Sequence, residues 1–212
     1  MKVMIVGSRD DLPREYGWHY LQQLADISSN AGHDTISMQS PSLPSFESTV
    51  KEFNPRFVIL NGHGGDRAMV VNKRHVLLGI KGYSPELRMT LVRENPELMQ
   101  GRDVYLFTCN AGKMLGQALM NAGARSVVAF DEPFFWSPDD KFSQPQFDLY
   151  AQPVFQSALE YPKQVLLGKD IPTAFKMMQE KHLKELDRTY DVQQGKYLLH
   201  NLRHLRKFGF GQ

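Results

Sequence analysis

Two residues of this 212-residue chain have the types, surroundings and spacing for nucleophilic chemistry. They are His63, in Val58-Ile59-Leu60-Asn61-Gly62-His63-Gly64-Gly65, and Cys109, in Val104-Tyr105-Leu106-Phe107-Thr108-Cys109-Asn110-Ala111-Gly112. Cys109 is the only cysteine, so neither a disulfide partner nor a second thiolate ligand within the chain accounts for it. Two roles remain, an inert buried thiol or a nucleophile. An imidazole beside the thiol can draw off its proton, and the N-terminus of a helix starting near Lys113 acts in the same direction by favouring thiolate. Gly62, Gly64 and Gly65 on one side and Ala111 and Gly112 on the other keep both surroundings small, so that a substrate backbone can come close. The main-chain N–H groups of Gly64 and Cys109 are the candidate donors to a developing oxyanion. Such a set is a minimal acyl-transfer site.

For these residues to meet, the surrounding elements must deliver them to one place. Residues 3–6 form an apolar strand closed by Gly7, followed by a helix over 16–30 whose Tyr20, Leu21, Leu24 and Ile27 share a face. A second strand is read over 34–38, a loop over 41–44, a short helix over 46–53 and a third strand over 57–60 that ends at the His63 loop. Between the two key loops the pattern gives a small hairpin around Asn72-Lys73 and then a helix over 84–94. A fourth strand over 104–108, a helix over 114–121 and a fifth strand over 126–130 follow. From Tyr150 onward the chain reads as helical, the Pro-rich stretch 132–145 reads as an inserted loop, and 131–145 is the candidate mobile element. Strands alternating with helices predict an open α/β sheet, mostly parallel and covered by helices on both faces. In such a sheet the functional crevice lies beyond the carboxyl ends of the strands, where both His63 and Cys109 fall. Neighbouring strands lie about 4.8 Å apart, close enough for imidazole and thiol to meet if the third and fourth strands are adjacent.

Composition sets the wider frame. Residues 1–212 fit a single domain in which 150–212 is a largely helical part packing on the rest, and 42% apolar residues suffice for a sizeable core. Basic residues exceed acidic ones by only 25 to 23, dispersed along the chain, so charge does not call for nucleic acid or an anionic membrane as partner. The basic, Leu-rich stretch 181–207 reads as a pair of amphipathic helices with a solvated face. No apolar run approaches the roughly 20 residues that span a bilayer, and the N-terminus enters a strand without a cleavable leader. A cytoplasmic protein is expected, or one delivered to another compartment without such a signal.

The residues also carry a family resemblance. A His-Gly after one strand and a Cys after the next, within a doubly wound pattern, resemble the caspase-like (clan CD) cysteine peptidases, and within them the CHAT group related to separase. Thr108-Cys109-Asn110-Ala111-Gly112 is similar to the A-C-x-T/A-G loop of that group, and Ala122-Gly123-Ala124-Arg125-Ser126-Val127-Val128-Ala129 to its A-G-A-x-x-V-V-A strand. The resemblance covers roughly residues 51–180 and implies a three-layer caspase-like sandwich and a cysteine endopeptidase. It also implies His63 as acid/base, Cys109 as nucleophile, a protein or peptide substrate, and an activating partner or ligand of the kind that relieves latency in this clan. The acidic specificity residue of separase-like members follows a Trp beyond the fifth strand. Trp136-Ser137-Pro138-Asp139-Asp140 is similar to that element, although Asp131-Glu132-Pro133-Phe134-Phe135 lengthens the loop before it. Trp136, Asp139 and Asp140 are thus substrate-binding candidates that favour a basic residue before the scissile bond by charge-assisted pairing, whereas Arg9, after the first strand, would favour an acidic one.

Two other readings of these residues stay open. One is a catalytically silent domain of the same fold serving as a binding or scaffold module. The other is a metal-dependent amidohydrolase, because Asn61-Gly62-His63-Gly64-Gly65 is similar to the N-G-H-G-G signature of creatininase-like enzymes. That chemistry needs further His and acidic ligands, and no HxxxD-type cluster stands near the other strand ends, so no metal and no cofactor is expected.

Overall fold

Short apolar runs become the buried strands of one sheet. The computed structural model describes residues 1–72, 75–139 and 144–209. In chain order, β1 (Lys2–Gly7) leads to α1 (Leu12–Asn30), β2 (Asp34–Gln39), α2 (Leu43–Phe53), β3 (Phe57–Asn61) and β4 (His63–Gly64). Next come β5 (Ala68–Val71), β6 (His75–Gly79), β7 (Gly82–Ser84), β8 (Met89–Leu91), a single 3₁₀ turn (Pro96–Met99) and β9 (Asp103–Phe107). The remainder is α3 (Leu115–Asn121), β10 (Ser126–Phe130), α4 (Gln152–Leu166), α5 (Ile171–Arg188), α6 (Val192–Arg203) and β11 (Leu205–Phe208).

The six-stranded sheet has the order β11-β10-β9-β3-β1-β2, parallel throughout except for β11, which runs antiparallel to β10. Its pleat sends alternate side chains to two separate cores. Val3, Ile5, Phe57, Ile59, Tyr105 and Phe107 pack with Tyr16 and Leu21 of α1, Phe155 and Ala158 of α4, and Phe175 of α5. Met4, Val6, Val58, Leu60, Val104 and Leu106 pack on the other face with Phe46 of α2 and Leu115 of α3. Met69 and Leu78, from the small antiparallel sheet β4-β5-β6, join that second core. The α/β expectation therefore holds, with a mostly parallel sheet between two covering layers.

Three local expectations are corrected. Residues 84–94 are not a helix: β7 and β8 form a two-stranded antiparallel ribbon, closed by a turn in which Arg88 adopts φ 51°. The C-terminal third is helical as read, in α4, α5 and α6, but its end is not helix: the chain returns to the sheet as β11. The first helix also begins earlier than its apolar face suggests. Asp11 accepts the Arg14 N–H as the N-cap, and Pro13 sits in the first turn, where its missing N–H costs nothing. Among the described residues no helix is long and apolar enough to cross a membrane.

One buried histidine ties this packing to pH. His182 of α5 is 1% exposed, donates from Nδ1 to the Met178 carbonyl at 2.9 Å, and leaves Nε2 without a hydrogen-bond partner among the described residues. Burial pushes its pKa down to about 4, against the opposing effect of the Met178 bond. The unfolded chain gains the proton near 6.5 and the folded chain only near 4, so the neutral ring's contribution is fully present above 6.5 and disappears as pH falls through 4. The loss is on the order of 3 kcal/mol. Urea denaturation between these pH values should show that loss in the wild type and a flatter profile in His182→Leu.

Candidate active site

The register of β3 and β9 sets the geometry. The two strands pair in parallel from Phe57 opposite Asp103 to Asn61 opposite Phe107, so both chains leave the sheet at the same level. Two residues beyond Asn61 stands His63, and two beyond Phe107 stands Cys109. Both line one small cavity of about 60 Å³, together with Arg14, Asn61, Thr108, Phe134 and Trp136.

Gly64 is the point of closest approach between the two loops. A Cβ there would collide with the Cys109 carbonyl oxygen and crowd Thr108, so only glycine lets β4 lie against the Cys109 loop. The Gly65 N–H donates to the Ala68 carbonyl at 2.9 Å and closes the β4–β5 turn. Alternation along an antiparallel ladder makes Gly64 and Met69 the non-hydrogen-bonded pair, so the Gly64 N–H points away from β5. On the other loop, Asn110 takes φ 60°, a left-handed conformation that asparagine tolerates. The chain thereby turns sharply after Cys109, and Gly112 N–H bonds the Phe130 carbonyl at 2.8 Å.

His63 is held by a group that its sequence neighbours do not reveal. Its Nε2 lies 2.8 Å from Asp11 Oδ2. Asp11 in turn accepts from Arg14 Nε at 3.0 Å and Nη2 at 2.7 Å, and Arg14 Nη1 lies 2.9 Å from Asp10 Oδ2. The Arg14 side chain is 2% exposed. Burial is the largest single influence on Asp11 and pushes its pKa up. The Arg14 hydrogen bonds and charge, with the His63 bond, outweigh it and hold the carboxyl at about 2. Asp11 is therefore a carboxylate at neutral pH and can only accept, so the proton in this contact sits on His63 Nε2. Nδ1 is the ring nitrogen left for the thiol. The available sequence signal was Asp11-Leu12-Pro13, an N-cap followed by proline just after the first strand. The pairing of β1 beside β3 puts that loop next to the His63 loop.

The surroundings of Cys109 correct another expectation. Its thiol pKa is raised rather than lowered: burial pushes it up from 9.0, more than N–H bonds from Phe134 and from its own backbone pull it down. No helix N-terminus relieves this, because α3 starts only at Leu115 and is 7 residues long. The Phe134 N–H donates to Cys109 Sγ at 3.3 Å, from a strap over 131–136 that crosses the thiol. The strap is fixed from α6 and β11. Asn201, fully buried, accepts the Phe135 N–H at 2.9 Å and donates to its carbonyl at 2.8 Å. His200 Nε2 donates to the Pro133 carbonyl at 3.0 Å, and Arg206 Nε pairs with Asp131 at 2.6 Å.

The remaining sequence candidates fall in different places. Trp136 lines the cavity and packs on Tyr16 at 4.5 Å and Phe155 at 5.0 Å between ring centroids. Asp139 is not part of the cavity wall; its N–H donates to Asp148 Oδ2 at 3.0 Å. Asp140 lies outside the described residues. Arg9 is half-exposed, pairs with Glu15 at 3.3 Å and does not line the cavity; the arginine that does is Arg14. Among the described residues no three His, Cys, Asp or Glu side chains converge as metal ligands.

No protein-family model matches the chain, and a search of curated proteins finds no significant match. The site's chemistry is therefore argued from its own geometry. That geometry brings together a thiol, an imidazole held by a carboxylate, and a main-chain N–H free of its ladder.

If the strap shields the thiol, loosening it should raise reactivity. Asn201→Ala removes two hydrogen bonds worth about 1 kcal/mol each. Iodoacetamide labelling of Cys109 at constant pH should accelerate roughly tenfold in that variant, with an unchanged circular dichroism spectrum. Equal labelling rates would show that the strap does not limit access.

Proposed function

We propose that this chain is a cysteine endopeptidase of the caspase-like kind, with Cys109 as nucleophile and His63 as acid/base. The observation that carries the reading is the convergence of both residues on one cavity at the carboxyl ends of adjacent parallel strands. The three-layer arrangement and the Cys109 and Ala122 to Ala129 motifs favour the caspase-like, CHAT-related branch.

In this mechanism His63 takes the Cys109 proton as sulfur attacks the scissile carbonyl. The oxyanion forms against the N–H groups of Gly64 and Cys109. His63 then gives its proton to the departing amine, the C–N bond breaks, and a thioester remains on Cys109. Water, deprotonated by His63, attacks the thioester and releases the carboxylate product with the thiol restored.

A basic residue before the scissile bond suits the charge of the cavity edge. Asp10 and Asp11, which pair with Arg14 at the start of α1, together outweigh it by one negative charge. Arg9, already engaged by Glu15 away from the cavity, does not favour an acidic one. An activating partner or ligand fits the strap: drawing α6 away would release the Phe134 contact with sulfur.

A second reading, a catalytically silent caspase-like module, is favoured by one observation, the burial that raises the Cys109 thiol. Proteomic mapping of new chain ends in a cell lysate separates the two. Wild type should produce cleavages after Arg or Lys that Cys109→Ala lacks and that His63→Ala reduces by a factor on the order of 10² to 10⁴. Cleavage after acidic residues alone would overturn the specificity, and no difference between wild type and Cys109→Ala, even with Asn201→Ala added, would favour the silent module.

A further inference from the structure

We infer that Asp11 is the positioning residue for His63, so that the dyad works as a Cys109–His63–Asp11 relay clamped by Arg14. The inference rests on the peptidase reading for its purpose, but its geometry stands without it. A histidine on a loop can rotate and can carry its neutral proton on either nitrogen; only one tautomer offers a lone pair to the thiol when the other nitrogen is engaged. Here the choice is imposed from outside the dyad. Asp11 Oδ2 lies 2.8 Å from His63 Nε2, and the carboxylate cannot turn away, because Oδ1 accepts from both the main-chain N–H and the Nε of Arg14 and Oδ2 from its Nη2.

Arg14 is itself buried and paired. Its guanidinium is almost fully buried, lies 2.9 Å from Asp10, and sits in the first turn of α1, whose start Asp11 caps. One carboxylate thus joins the beginning of α1 to the loop after β3, and the orientation of His63 depends on the docking of α1 beside the sheet. His63 needs such a support, since its own side chain is 42% exposed.

The substitution that isolates this role is Asp11→Asn. It keeps the N-cap acceptor and the shape, while one oxygen becomes an NH₂. With its remaining oxygen on the Arg14 N–H and Nε, the amide presents a donor to His63 Nε2, which must then accept, and the ring proton moves to Nδ1. Replacing a His-orienting carboxylate by an amide in this way costs up to about 10⁴ in turnover in a hydrolytic triad.

The test reads the tautomer directly. Nitrogen-15 NMR of histidine-labelled full-length protein at about pH 8.5, where free imidazole is neutral, assigns His63 by its loss in His63→Gln. The wild type should show the proton on Nε2 and Asp11→Asn should show it on Nδ1. Iodoacetamide labelling of Cys109 should fall at least roughly tenfold in Asp11→Asn, on the scale of a lost charge-assisted contact. Asp11→Glu, which retains a carboxylate, should restore the Nε2–H tautomer and part of the labelling rate. An unchanged His63 tautomer in Asp11→Asn would overturn the role, whatever the protease assays give. Absence of proteolysis by the wild type would instead count against the peptidase reading, with the tautomer comparison still deciding the place of Asp11.

Discussion

Parallel pairing between β3 and β9, in register from Phe57 with Asp103 to Asn61 with Phe107, is the constraint on which the rim of this protein depends. It is held by burial rather than by any contact at the rim itself. All five residues of each strand are buried, with Ile59 and Tyr105 facing one core and Leu60 and Leu106 the other. A slip of one residue would send each side chain to the wrong core, so the sheet fixes where His63 and Cys109 emerge. The backbone contact at Gly64 then brings the two loops together, and it exists only because that position lacks a side chain.

Above that rim, electrostatics and burial act in opposite directions. The Arg14–Asp11 pair holds a carboxylate against the imidazole and keeps it charged through the neutral range. The thiol, by contrast, is disfavoured in its charged form by burial, which the Phe134 N–H from the strap only partly offsets. The imidazole is held and the thiol is covered. Both loops are in place at the rim, and the contacts between α6 and residues 131–136 hold the strap across the thiol.

The parallel strands of the main sheet were legible because runs such as Phe57 to Leu60 and Ser126 to Phe130 are largely apolar, short and bounded by polar or charged residues. The alternation with helices pointed to parallel pairing, while the strand order, with β9 beside β3, came only with the fold. The β7–β8 ribbon was not legible: its strands are three residues long, too short for a period of two to declare itself, and Ser84-Pro85-Glu86 imitates a helix start. Strand β11 was hidden for a related reason, since Leu205-Arg206-Lys207-Phe208 continues the basic amphipathic pattern of α6 and becomes a strand only through pairing with β10. His63 and Cys109 could be singled out by their local settings. Asp11 and Arg14 could not, because what gives them meaning is a contact across 52 residues of sequence.

The central claim is that Cys109 attacks carbonyl carbon with the help of His63, and acylation tests it most directly. Intact-mass spectrometry after mixing with p-nitrophenyl acetate follows a single thiol, because the chain has only one cysteine. The account predicts an acetyl adduct on Cys109 that forms at least about tenfold faster in the wild type than in His63→Ala, as general-base assistance requires. Equal rates in the two proteins, or no adduct on Cys109 at all, would contradict it.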